Sequence, residues 1–274
     1  MALEVTTIPQ NIPRDPLLKF LVALADDELI LGHRNSEWTG HAPILEEDIA
    51  FSNIAQDELG HSLALFTLHS ELTGKSPDVM VFERAWQDFT CSRFVTYPKG
   101  DFAYTVMRQY LFDEAEQVRM QSLQDSSFEP LRGLAGKILS EEAYHLMHSK
   151  GLVSRLGDAT EESHRRMQQA VNDAFPQALG IFELLNGEAD LVKAGVIKPS
   201  DFLLQQWAER VVPTLIASTL IPAYAGTEAL KSNGTWNIQC KSDNGGRQGN
   251  HTEHLKQLVA DLQSVYQTAP GSGW

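Results

Sequence analysis

Four stretches of this sequence repeat apolar residues every three or four positions, and each breaks the repeat near its middle with an acid on the same stripe. In the second stretch the stripe is Phe51, Ile54, Glu58, His61, Leu65 and Leu68; in the fourth it is Leu131, Ala135, Ile138, Glu142, His145 and Leu152. The first carries Leu17, Leu21, Leu24, Glu28 and Leu31, and the third Val106, Tyr110, Asp113, Gln117 and Met120. Side chains at this spacing share one helix face, so the acids and both histidines point the same way as the core residues. An uncompensated carboxylate in a helical core is expensive. Several at matched height therefore imply either metal or a dense hydrogen-bond network, and they restrict the fold to helices that turn these positions toward one another.

Period-two alternation bounded by turn signals is almost missing, so the chain reads as all-α. Asp15-Pro16, an acid before a proline at the first helical position, starts a helix that runs to about Trp38. The GHAP turn, Gly40 to Pro43, separates it from a second helix running from about Ile44 to the Thr73-Gly74 stop. A looser stretch with Pro77, Tyr97, Pro98 and Gly100 is predicted to cross from one end of a bundle to the other. The third helix begins at the cap Asp101 and ends near Ser126, and the fourth runs from about Pro130 to Gly157. Long helices joined by short, long and short connections predict an antiparallel four-helix bundle with one crossover, its core at about 15–157. Further helices follow at about 160–185 and 199–220. The polar stretch KSNGTWNIQCKSDNGGRQGN, 231–250, predicts a mobile surface loop before a short last helix at about 251–267. With 274 residues, 42% of them hydrophobic, a single domain over 1–274 is expected.

A net charge of −14 and the absence of a Lys/Arg run exclude nucleic acid or an anionic membrane as the main partner. Cys91 and Cys240 form no CxxC pair and read as free thiols of a reducing cytoplasm. No segment reaches 18 uninterrupted apolar residues, and the start, MALEVTTIPQNIPRDP, lacks the basic and apolar regions of a signal peptide, so a cytoplasmic protein is expected.

Two lone carboxylates and two ExxH pairs are the ligand set of a ferritin-like di-iron or di-manganese bundle. Four carboxylates cancel the charge of two divalent cations, some of them bridging, and two imidazoles complete the set without adding charge. Ligand type does not choose between iron and manganese. With nine histidines and 36 acids, about one ExxH arises by chance, so the stripes carry the argument and not the motif. Glu161-x-x-His164, in the charged turn EESHRR, reads as solvated surface. On the third helix Glu114 and Glu116 compete with Asp113. Asp57 and Glu141 precede the ligand glutamates and sit four residues before the histidines; a carboxylate there can take the outer N–H of a metal-bound imidazole, or lie solvated on the helix flank. No basic cluster marks an anion pocket, and Arg34, Lys150 and Arg155 read as solvated surface.

The segments LILGHRNSEWTGHAPILEEDIAFSNIAQDELGH, RQYLFDEAEQ, EEAYHLMHSKGLVSRLG and HTEHLKQLVADL resemble the C-subunit family of the bacterial phenylacetyl-CoA ring epoxidase, the multicomponent monooxygenase of phenylacetate degradation. The resemblance covers most of the chain. It implies a protein that looks like a paralogue of the catalytic A subunit, keeps the bundle, pairs with A, and serves as a structural partner with a degraded metal site. Here, however, Glu28, the DExxH of Asp57 to His61, a lone Asp113 and the EExxH of Glu141 to His145 match the pattern of the catalytic paralogue, which selects Asp113 over Glu114. In that pattern Glu58 and Glu142 bridge two irons, His61 and His145 are terminal, and Glu28 and Asp113 complete the two spheres. Electrons for oxygenating phenylacetyl-CoA would come from a separate reductase, since no flavin or iron–sulfur motif is present. Two roles fit: an oxygenase component with its own di-iron centre, or a scaffold that docks and stabilises A. The ligands alone would also permit a stand-alone di-iron oxidase or iron handler, but the GHAP turn and the HTEHL tail belong to the C-subunit family. His251 and His254 in that tail read as surface or interface residues.

Overall fold

In the computed structural model the described residues are 6–221, 231–232, 234–238 and 240–271. Four long helices build the centre: α1 (Arg14–Ser36), α2 (Leu45–Thr73), then, after the short α3 (Pro77–Phe82) and α4 (Arg93–Thr96), α5 (Phe102–Leu123) and α6 (Glu129–Gly157). α7 (Glu161–Ala178), α8 (Glu188–Lys193), α9 (Ser200–Ala217) and α10 (Glu253–Gln263) complete the α-helices of the described residues. The fold is the all-α ferritin-like bundle; among the described residues, strand is confined to Lys231–Ser232 paired with Thr235–Trp236.

The local signals act as elementary chemistry dictates. Asp101 caps α5 by accepting the Tyr104 N–H at 2.9 Å, which satisfies one of the orphan donors of the first turn. Gly74 ends α2 with φ 77°, the left-handed conformation that only glycine adopts without cost. Replacing Asp101 by Ala is expected to lower unfolding stability by about 1 kcal/mol, read as a shift of the urea midpoint with an unchanged m-value.

The contacts fix the antiparallel register. Ala25 of α1 meets Ser62 of α2, whereas Gly32 meets Ala55. On the other pair Asp113 of α5 meets Ser149 of α6, and Glu47 and His61 of α2 reach back to His148 and Glu141 of α6. The crossover between α2 and α5 is not a loose strand. It folds into α3 and α4, each capped by a serine, Ser76 and Ser92, and is tied to α1 where Asp26 accepts the Thr90 N–H at 2.8 Å and Asp27 the Ser92 N–H at 2.7 Å. Helices of one or two turns are too short to show a period, so only their caps were readable.

α7 and α9 cover α5, with Trp207 fully buried and its indole N–H donated to the Leu111 carbonyl at 2.9 Å. The helix expected to 185 stops at Ala178 and tightens into a 3-10 turn, Leu179–Phe182. The expectation of a surface loop over 231–250 fails in its second half. Gly246 and Arg247 are buried there, and Gly245 and Arg247 donate backbone N–H groups to Glu183. Gly246 lies so close to the Cys91 carbonyl that a side chain would collide with it. A run rich in Gly and Asn reads as a loop by composition, but here the glycines let the backbone pack against the crossover and carry one arginine inward.

Candidate metal centre

The four stripes converge. Glu28 from α1, Glu58 and His61 from α2, Asp113 from α5, and Glu142 and His145 from α6 are all buried at mid-height of the bundle. They form two clusters, Glu28 with His61 and Glu142, and Glu58 with Asp113 and His145; within each, one ligand atom per residue lies within 4.8 Å of the others. Glu142 Oε1 stands 3.1 Å from His145 Nδ1 and 3.6 Å from His61 Nδ1, so this glutamate touches both clusters. His61 Nδ1 is also 3.4 Å from Glu28 Oε2. Gly32 makes this approach of helices feasible: a Cβ there would stand 3.2 Å from that of Glu58 and 3.1 Å from the Ala55 carbonyl.

The outer imidazole nitrogens are claimed by the two flanking acids, in a pairing that crosses helices. His61 Nε2–H donates to Glu141 at 2.8 Å, and His145 Nε2–H to Asp57 at 3.1 Å. The sequence position of each acid, four before a histidine of its own helix, suggests a local partner; the bundle gives it the histidine of the other helix. Both arrangements leave Nδ1 facing the centre, which is what a metal-binding imidazole needs from its outer hydrogen bond.

A divalent pair fits these residues by one test in particular. Glu58 Oε2 and Glu142 Oε2 are buried and have no hydrogen-bond partner; Glu114 and Glu116 each leave one oxygen bare as well, but those two have Lys150, Arg210 or Arg119 as counter-charges, and among the described residues neither Glu58 nor Glu142 pairs with a Lys or Arg. Leaving two carboxylate oxygens bare in a core costs several kilocalories per mole in order of magnitude, and a cation supplies what they lack. These are the two glutamates expected to bridge.

Polar neighbours of the clusters differ on the two sides. Around Glu58 and Asp113 they are neutral: Gln109 donates to Glu58 Oε1 at 2.9 Å and to Asp113 Oδ1 at 2.6 Å, Asn35 steadies Gln109 at 2.7 Å, and Ser149 donates to Asp113. Around Glu28 they are charged, with buried Glu116 paired to Arg119 and Asp27 paired to Arg247. Sequence reasoning missed Gln109, Asn35 and Ser149, although each lies one or two turns from a ligand on the same stripe. Arg247 had no such signal.

Glu114 turns to Lys150 at 3.4 Å and Arg210 at 3.8 Å, outside both clusters. Arg155 is exposed and donates to the Gly151 carbonyl of its own helix at 3.3 Å. Arg34 is not solvated surface: it is buried, donating to the Thr96 carbonyl at 2.7 Å and to Glu37 at 2.6 Å. His164 is half-buried and contacts the Gly157 carbonyl at 2.8 Å, so the chance ExxH makes no ligand pair. His251 donates to the Phe89 carbonyl at 2.8 Å, and the His254 carbonyl accepts from Arg34, which docks the tail on the crossover and α1.

Burial, followed by the mutual repulsion of the acids, holds Glu28 and Glu58 well above the usual carboxylate range; for Asp113, burial and then Glu142 do the same. Burial disfavours the charged form of His145, yet Glu142, Asp113 and Glu58 raise it to about 10. The metal-free cluster therefore holds its protons more tightly than free side chains do, and a bound cation would displace them. Titrating divalent iron or manganese into the chain is expected to release more than one proton per chain, read by calorimetry in buffers of different ionisation enthalpy. Apparent affinity then rises with pH, because fewer protons remain to be expelled.

The model of the family described as "Phenylacetic acid catabolic protein" matches residues 1–274. The chain is 31% identical over 260 residues to the C subunit of 1,2-phenylacetyl-CoA epoxidase from Escherichia coli (strain K12), an alignment that covers 94% of this chain and 99% of that protein. It is 25% identical over 186 residues to the A subunit of the same epoxidase from the same organism, covering 66% of this chain and 60% of the relative.

Proposed function

The chain belongs to the phenylacetic acid catabolic protein family, and from that membership we propose that it is the C-type component of a multisubunit phenylacetyl-CoA ring epoxidase whose own bundle holds a di-iron centre. The observation that carries the reading is the convergence of six ligands with an unpartnered oxygen on each of the two glutamates placed to bridge. A bound di-iron pair would supply dioxygen activation for oxygen transfer to the aromatic ring, with electrons from a separate reductase. The chain's own part is positioning. Asp57 and Glu141 hold the imidazoles with Nδ1 inward, Gln109 fixes two carboxylates at once, and the arginines beside Asp27 and Glu116 offset the acids behind Glu28. Its two free cysteines and the lack of a helix long and apolar enough to cross a membrane, among the described residues, agree with a place in the cytoplasm.

A second reading has its own support. Two clefts of about 810 and 450 Å³ are lined by residues other than the six ligands. This suits a protein that stabilises a catalytic A partner without taking substrate to its own centre.

Three measurements on the full chain decide between them. Elemental analysis should find two metal ions per chain in the wild type and background levels in Glu58→Gln/Glu142→Gln; equal metal in both removes the centre. Co-expression with the A subunit should give a stable complex. Epoxide formation by this chain and reductase without A would establish the oxygenase reading; turnover only when A is present, unaltered by the double substitution, would establish the scaffold.

A further inference from the structure

α2 and α6 lie side by side, and their outward faces are unlike the rest of an acidic protein. From Ile49 to Thr67 the exposed residues of α2 are uncharged apart from the half-exposed Asp57, and on α6 from Ser140 to Met147 apart from the half-exposed Glu141. Large apolar side chains stand in water there: Ile49 is 53% exposed, Leu63 58% and Met147 66%, with Leu59 and Tyr144 between them. Large apolar side chains gathered on one face of a chain of net charge −14, interleaved with uncharged Asn53 and Gln56, mark a contact surface.

Gly60 is an independent sign. It lies in mid-helix on this face, and a Cβ added to it would meet nothing within 4 Å. Glycine costs about 1 kcal/mol relative to alanine in a helix interior, and nothing inside this chain requires it. A partner's backbone passing close to α2 would.

The size of the face is right for a stable pair. From Ile49 to Thr67 α2 rises about 27 Å and from Ser140 to Met147 α6 rises about 10 Å, so at about 10 Å of width each the uncharged face offers on the order of 400 Å², the centre of a standard interface of ~800 Å² per partner whose rim the flanking charged residues, Glu46, Lys137 and Lys150, supply. A second copy of the chain is the wrong occupant. Asp57 and Glu141 are half-exposed in the seam of the face, 43% and 41% by side chain, and a twofold pairing would bring four such acids and two strongly negative molecules together.

Resting on the reading of the chain as an epoxidase component, we infer that the α2–α6 face is where the A subunit docks, through a flat helical surface with basic groups opposite Asp57 and Glu141. Those two acids hold the outer nitrogens of His145 and His61. The partner therefore sits over the only carboxylates that link the ligand histidines to the surface among the described residues, and docking removes water from the outer edge of the metal centre.

Gly60→Lys and Met147→Glu test this in the full chain co-expressed with the A subunit. Both positions are open to solvent, so folding is retained, and circular dichroism with an unchanged thermal transition verifies it. Each variant is expected to weaken association at least about 100-fold, as charges placed in the centre of an interface do. Phe202→Glu, at an exposed apolar site on α9, should leave association unchanged. In the wild-type complex, carbodiimide labelling of Asp57 and Glu141 should be suppressed relative to the free chain. Association retained in both variants overturns the docking face while leaving membership of the complex intact. Absence of any wild-type complex with A overturns both. Wild-type self-association lost in Gly60→Lys overturns the choice of partner in favour of a second copy.

Discussion

Saturating the purified chain with ferrous iron or manganese raises its melting temperature by about 5–10 °C per occupied site, and the isosteric Glu58→Gln/Glu142→Gln variant loses the rise. A ligand present at about 100 times its dissociation constant stabilises by about 2.7 kcal/mol, and a chain of this size shifts by about 2–4 °C for each kilocalorie. The second half of the prediction is the more diagnostic. Without metal the same double variant is more stable than the wild type, because Glu58→Gln removes a buried acid that burial and its neighbours disfavour in the charged form, and Glu142→Gln removes a charge that repels Glu28, Glu58 and Asp113. For Glu58 that disfavour is visible as a carboxyl held well above its ordinary range, by burial first and then by Glu28 and Glu142. A group whose folded-state proton affinity is raised contributes stability at low pH and loses it as pH climbs through its titration. As pH rises above the ordinary carboxylate range, the wild-type apo chain should accordingly lose stability more steeply than the variant. A variant that melts lower than wild type without metal would show the carboxylates to be stabilising on their own, as parts of a hydrogen-bond network. Differential scanning calorimetry of both proteins, chelated and reloaded, measures all four states.

The features readable from the sequence are those with a period. Glu28, Glu58, His61, Asp113, Glu142 and His145 could be placed because each interrupts an apolar stripe, and a stripe fixes the direction of a side chain before any neighbour is known. Helix ends followed from Asp101 and Gly74 for the same reason, since a cap acts within four residues. The partner of each flanking acid depends on register between helices, which a single helix does not encode. Asp57 and Glu141 were recognisable as acceptors for an imidazole, but that each serves the opposite helix follows only from the antiparallel pairing of α2 with α6. Arg34 shows the converse limit. Near a helix end it reads as solvated, yet α4 and the tail fold over it and supply carbonyls from Thr96 and His254. Composition misled most at 241–250, where glycines that permit close packing resemble glycines that permit motion.

Arg247, delivered by that segment, carries the other large effect. Its guanidinium is 2% exposed and makes a two-pronged pair with Asp27, Nη1 to Oδ1 at 2.9 Å and Nη2 to Oδ2 at 2.6 Å. It also donates to the carbonyls of Ala23, Thr90 and Ile181, so one side chain joins α1, the crossover and the turn after α7. Arg247→Met is expected to cost about 3–5 kcal/mol, because it leaves the Asp27 carboxylate buried without its counter-charge. Asp27→Asn combined with Arg247→Met should recover much of that loss, which separates the stranded charge from the lost packing. Gly246→Ala offers an independent route: its side chain would strike the Cys91 carbonyl, displace the turn and withdraw the arginine without altering any charge. The consequence reaches the metal centre, since Asp27 precedes Glu28 and its charge is one of those that hold the Glu28 proton. With Arg247 gone, that proton is held more tightly, and the Glu28 half of the centre should bind metal more weakly than the Asp113 half at neutral pH. Urea unfolding reads the first effect and metal titration the second. A loss below about 1 kcal/mol in Arg247→Met would mean that Arg119, 3.8 Å from Asp27, compensates the carboxylate by itself.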